Sequence, residues 1–129
     1  MKDIPDMKVR YTLLYSDSDG ESHFADKVTE THTTNFAPPA PALNLSEYVS
    51  TKRFAFLVLP KGWHGDLHPA PSRQFMIVIS GEGETTASDG ESRRFKTGDV
   101  LLLEDTHGKG HISRSVNGAT VIAVVQLDP

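Results

Sequence analysis

Two short segments, far apart in the chain, concentrate the groups able to do chemistry. Trp63-His64-Gly65-Asp66-Leu67-His68 sets two imidazoles around a carboxylate, and Asp105-Thr106-His107-Gly108-Lys109-Gly110-His111 sets two more beside another. Imidazole ligates most first-row transition metals and titrates near neutral pH, so such groups can hold an ion or move a proton. Each segment follows an apolar, strand-like run. Imidazoles brought together from two distant segments are the raw material of a metal site, but surface loops also carry histidine. Spacing alone leaves both readings open.

The elements that must position these residues read as strands. Val9 to Tyr15 ends at the turn formers Ser16-Asp17-Ser18-Asp19-Gly20. His23 to Thr34 is polar and rich in threonine, which favours an exposed or edge strand over a helix. Phe36-Ala37-Pro38-Pro39-Ala40-Pro41 cannot be a regular helix or a central strand, because proline fixes φ and removes donors; it is expected to be a stiff surface connector. Leu43 to Val49 is expected to form one helical turn capped by Asn44 or Ser46.

From Lys52 onward, short apolar runs alternate with turn signals. Phe54 to Leu59 stops at Pro60-Lys61-Gly62, and Gln74 to Ile79 stops at Ser80-Gly81-Glu82-Gly83. Ser88-Asp89-Gly90-Glu91 and Asn117-Gly118 are both read as hairpin turns, the second between Ile112–Val116 and Thr120–Leu127. No stretch after residue 50 has helical periodicity. The pattern predicts an antiparallel, all-β architecture.

Composition narrows the function classes. The chain has 129 residues, which suits one domain. A formal net charge of −4 argues against nucleic-acid binding, which needs a basic stripe to neutralise phosphates. The sequence contains no cysteine, so disulfides, thiolate ligands and a cysteine nucleophile are excluded. No apolar run approaches a membrane span. Met1-Lys2-Asp3-Ile4-Pro5-Asp6 carries acids and a proline where a secretion signal needs an apolar run, and the expected compartment is the cytoplasm.

The spacing around the histidines resembles the cupin superfamily. The first motif of that family runs glycine, five residues, His-x-His, three or four residues, glutamate, six residues, glycine. Here Gly62, His68, Ala70, Gln74 and Gly81 occupy those positions, so one imidazole is replaced by a methyl and the carboxylate by an amide. The second motif runs glycine, five residues, Pro-x-Gly, two residues, histidine, three residues, asparagine. Gly98, Thr106, Gly108, His111 and Ser115 follow it with two extra residues after Gly98. The glycine framework matches and the ligands depart. The resemblance covers roughly residues 53 to 127, and the two histidine blocks look like a subgroup of small single-domain bacterial cupins.

The resemblance implies an all-β, cupin-type (double-stranded β-helix or jelly-roll) barrel with extra N-terminal strands in residues 1–50. One domain spans residues 1–129. It implies a small-molecule pocket around His68, Gln74 and His111, and a metal set of His68, His111, Gln74 and Asp66 for Fe, Mn, Ni or Zn. If the first segment is extended, His64, Asp66 and His68 share one face, and Asp66 can return the missing carboxylate. In a metal-dependent dioxygenase, isomerase or lyase, His64 or His107 would serve as general base. The alternative is a metal-free ligand-binding module, which the altered ligand set favours.

Trp63 is read as lining the pocket mouth, Lys109 as a solvated loop residue, and His23 and His32 as surface residues. Arg73 is expected to face outward from Gln74. A homodimer is expected, with the threonine-rich strand and the proline connector covering exposed strand edges.

Overall fold

The computed structural model describes residues 7–128, so the leader reading of Met1–Asp6 lies outside the described residues. Eight strands run in order: β1 (Lys8–Ser16), β2 (Ser22–Thr34), β3 (Leu43–Ser46), β4 (Thr51–Leu59), β5 (Gln74–Ala87), β6 (Ser92–Lys96), β7 (Val100–Glu104) and β8 (His111–Leu127). No described residue is helical, and no helix is long or apolar enough to cross a membrane. The strands form one sheet in the order β3-β2-β1-β7-β5-β8-β4, with β6 attached to β5. All pairings are antiparallel except β1 with β7.

Two long strands fold the sheet round. The first half of β5 pairs with β7, its second half with β6, and β8 runs beside both halves. Leu14, Phe24, Val78, Phe95, Leu101 and Leu103 gather inside as the core. In β7, Val100-Leu101-Leu102-Leu103-Glu104 has its three central leucines buried, as expected of a strand covered on both faces.

The structure corrects three local expectations. Leu43–Ser46 is a strand, not a helical turn, because β2 supplies partners: His32 lies opposite Leu45 and Thr33 opposite Asn44. Pairing outweighs the weak capping signal of Asn44 and Ser46. β5 does not stop at Ser80-Gly81 but continues to Ala87. Asn117-Gly118 does not make a hairpin.

The last two corrections share a cause. Ser80 pairs with Val121 and Glu82 with Val116, so Asn117 to Thr120 stand opposite Gly81 alone. Asn117 (φ 55) and Gly118 (φ 115) adopt the left-handed backbone a bulge requires, and β8 resumes its course beyond them. A Cβ on Gly81 would lie 2.3 Å from the Ala119 carbonyl oxygen, so only glycine admits the bulge. Ser88 to Glu91 is the β5–β6 hairpin turn, as the sequence predicts.

The N-terminal strands brace the second histidine segment. β1 lies between β2 and β7. The turn after β1 meets the 105–110 loop, where Lys109 N donates to Gly20 O at 2.8 Å and Ser22 Oγ donates to Gly110 O at 2.7 Å. Lys109 is an exposed loop residue, as the sequence suggests, and its Nζ stands 3.0 Å from Glu21 Oε2. His23 is half-buried rather than a simple surface residue. Its ring nitrogens meet Asp17 at 2.7 Å and Asp89 at 3.0 Å.

Candidate functional site

A cavity of about 220 Å³ opens into the barrel. Leu57, Leu59, Met76, Val78, Leu101 and Ile122 are among its apolar walls; Trp63, His68, Gln74 and His111 are among its polar groups, with Thr85, Ser113 and Arg114 beside them. The two histidines meet as a cross-strand pair. His68 N donates to His111 O at 3.0 Å, and His111 N donates to His68 O at 2.9 Å. Their ring centres are 5.0 Å apart.

Gly110 makes this approach possible. Its φ is +78, and a Cβ there would lie 2.0 Å from the carbonyl carbon and oxygen of His68.

Second partners fix the imidazole tautomers. His68 Nδ1 lies 2.8 Å from the Pro69 carbonyl oxygen, which can only accept, so Nδ1 carries the proton. His111 Nδ1 lies 2.5 Å from Asp105 Oδ2, again an acceptor. In the neutral form both rings therefore present Nε2 as a lone pair. Asp105 is fully buried, its Oδ1 has no hydrogen-bond partner, and its main-chain oxygen accepts from Ala70 N at 2.9 Å.

Gln74 is oriented by a relay across the sheet. Arg53 has only donors, and its Nε and Nη2 reach Gln126 Oε1 at 2.8 and 2.6 Å. The Gln126 amide nitrogen then donates to Gln74 Oε1 at 3.1 Å. The Gln74 carbonyl is thus engaged, and its amide nitrogen, 3.8 Å from Met76 Sδ, is the group left to the cavity. That makes Gln74 a hydrogen-bond donor to a ligand. An amide binds an ion through its oxygen, so this orientation does not suit metal ligation.

The remaining sequence candidates stand apart from the cavity lining. His64, Asp66 and His107 are exposed and do not line it. The condition that would bring His64, Asp66 and His68 onto one face is not met. The bridges His64–Arg114 and His68–His111 differ in register by one residue, so the segment is not a regular strand. Ala70, standing where the family has its second imidazole, is buried in the core at 3% exposure. Glu84 does line the cavity, but its oxygens are held by Arg114 at 3.0 Å and Arg94 at 3.3 Å, which keep its carboxyl below the usual carboxylate range.

Among the described residues no three His, Cys, Asp or Glu side chains converge as a metal-ligating group. Two imidazoles without a free carboxylate do not fit the divalent ion implied by the cupin resemblance.

Sequence reasoning named His68, Gln74, His111 and Trp63, and the structure brings them to one cavity. It missed Asp105, Gln126 and Arg53. Asp105 carried a usable signal, an acid closing the apolar run Val100–Leu103 and six residues before His111. Gln126 and Arg53 carried none, since their link to Gln74 exists only through strand register.

No protein-family model and no curated protein sequence matches the chain. Solved structures do. A conserved protein of unknown function from Streptococcus pyogenes is 24% identical with a TM-score of 0.48, the match covering 59% of this chain and 64% of that one. A Cupin 2 conserved barrel domain protein from Leptotrichia buccalis is 15% identical with a TM-score of 0.47, over 96% and 78%. The cupin domain of Schizosaccharomyces pombe Cnp3 is 13% identical with a TM-score of 0.44, over 94% and 84%. Strand order and the doubly used strands β5 and β8 define its class: an all-β chain whose open mixed sheet folds round a cavity, the architecture that the cupin resemblance implies.

Proposed function

We propose that the chain is a metal-free cupin-type module that binds a small, mostly apolar molecule through a polar head. The observation that carries this reading is the orientation of three side chains. His68 and His111 offer Nε2 acceptors, and Gln74 offers an amide donor because Gln126 occupies its oxygen. A ligand hydroxyl satisfies two of the three at once, donating its proton to one imidazole while its oxygen accepts from Gln74. The cavity is smaller than the ~300–1,000 Å³ of pockets for drug-sized ligands, so the ligand class is a single ring or a short chain.

Phenol and 1-hexanol are suitable probes for calorimetric titration. The expected result is binding unchanged by a chelator and weakened at least tenfold, about 1.4 kcal/mol, by His68→Ala or Gln74→Leu. Absence of binding by either probe, or binding abolished by the chelator, would count against the reading.

The Asp105–His111 pair favours a second reading in which the bound molecule is also deprotonated. The carboxylate fixes the imidazole tautomer and would stabilise the imidazolium after proton uptake at Nε2. In that case His111, rather than His64 or His107, is the base. Turnover would then fall by orders of magnitude in His111→Gln while probe binding persists.

A further inference from the structure

β8 sends His111, Ser113 and Ser115 to one face of the sheet, because every second residue of a strand shares a face. β5 meets them in register: Ala87 stands opposite His111, Thr85 opposite Ser113 and Gly83 opposite Ser115. His111, Ser113, Thr85 and Gly83 all line the cavity. A pair of hydroxyls therefore lies one row beyond His111, on a wall whose other members include Val78, Phe95 and Leu101.

Thr85 Oγ1 and Ser113 Oγ are 2.9 Å apart. Between them they hold two protons and four lone pairs, and one proton joins them. No other hydrogen bond reaches either oxygen among the described residues. The second proton of the pair is unspent, although Thr85 is only 7% exposed. A neighbouring pair shows the contrast. Ser115 and Thr120 also lie hydroxyl to hydroxyl, at 2.7 Å, but Ser115 Oγ donates to Gly118 O at 2.5 Å and Thr120 Oγ1 to Glu82 O at 2.8 Å. Both of their protons go to main-chain oxygens at the β8 bulge, so that pair holds the fold. Thr85 and Ser113 bond to no main-chain group, and the strands they join are already paired from Glu82 to Ala87.

We infer that the Thr85–Ser113 pair is a second polar subsite, which selects ligands carrying a hydroxyl at each end of one ring or short chain. The subsite presupposes the function proposed above, in which one imidazole and Gln74 hold the first hydroxyl. The pair gives its unspent proton to the second hydroxyl and accepts that hydroxyl's proton in return. Spacing sets the ligand's shape. Ser113 follows His111 by two residues, about 6.6 Å at ~3.3 Å per residue, so the two polar groups stand across a ring and not side by side. A ligand with an apolar far end would shut the unspent proton away from any partner. An unmet donor costs more than a made bond gains, so the pair discriminates mainly by exclusion.

Calorimetric titration of the full chain with p-cresol and 4-hydroxybenzyl alcohol, which differ by one hydroxyl, tests the subsite. The alcohol should bind the wild type roughly tenfold more tightly, the return of about one hydrogen bond. That advantage should disappear in Thr85→Val and in Ser113→Ala, while p-cresol binds both variants as well as the wild type or better. Equal binding of the two compounds by the wild type, or an advantage that survives in both variants, would overturn the subsite and leave the first hydroxyl's site standing. If neither compound binds, or a chelator abolishes the binding of both, the function proposed above fails and the subsite falls with it. Should a variant not fold, the wild type alone decides. 2-Hydroxybenzyl alcohol, with its hydroxyls side by side, should gain nothing over o-cresol, and an equal gain for the two isomers overturns the subsite.

Discussion

Asp105 Oδ2 stands 2.5 Å from Nδ1 of His111 inside the barrel wall, where the two side chains retain 0% and 6% of their exposure. This separates two histidines that the sequence treats alike. Replacing His111 with alanine strands a carboxylate in the interior that already has one unpartnered oxygen. A broken buried pair of this kind costs about 3–5 kcal/mol. His68 is exposed and loses only its bond to the Pro69 carbonyl, so His68→Ala should cost under about 1 kcal/mol. Urea unfolding of the two variants measures the contrast, and equal costs would contradict the geometry.

Restoring a carboxylate tests the metal question from the opposite side. Gln74→Glu places an acidic oxygen beside two imidazole lone pairs, the two-histidine, one-carboxylate set that holds divalent ions. The variant should bind Ni²⁺ or Zn²⁺ at least tenfold more tightly than the wild type by calorimetry. Ala70→His, which would complete the family's ligands, should instead unfold or destabilise the chain, since Ala70 is buried in a filled core. Equal metal affinity in wild type and Gln74→Glu would show that the native groups already suffice.

Gly110 should be the least replaceable glycine near the site. Gly110→Ala drives a methyl into the His68 carbonyl and also strains a positive φ, so a loss of at least ~2 kcal/mol is expected. Gly90 also has a positive φ but faces open space, and Gly90→Ala should cost only ~1 kcal/mol. Thermal unfolding compares them, and probe binding should weaken only in Gly110→Ala.

His23 ties the β1–β2 turn to the β5–β6 turn, and its contribution should depend on pH. Hydrogen bonding to Asp17 raises its pKa above 6.5, desolvation opposes this, and Asp89 adds a smaller rise. The same contact lowers the pKa of Asp17 below 3.8. A raised imidazole pKa stabilises fully below the unfolded value and is lost as pH climbs through the folded value. A depressed carboxyl pKa stabilises above its unfolded value and is lost on acidification through the folded one. The melting-temperature difference between wild type and His23→Ala should therefore be greatest between the two reference values, at about pH 4–6.5, and shrink towards alkaline pH. A difference that grows with pH would refute the clasp.

The all-β class was legible from the sequence because period-2 apolar runs and glycine turns act locally. That His68 and His111 would come to one cavity was legible because a glycine framework fixes where strands end. Three other features depended on partners distant in the chain. Leu43–Ser46 became a strand only because β2 lay beside it, and Asn117-Gly118 became a bulge only because Gly81 left room opposite. The amide of Gln74 acquired its direction from Arg53 and Gln126 across two strand pairings, so whether it offers an oxygen or a proton is a property of register, not of residue type. Local sequence named His68, Gln74 and His111, which reach the cavity, but also His64, Asp66 and His107, which do not. The tertiary structure decided which atom of each group faces it, because a hydrogen-bonded side chain takes its orientation from its partner.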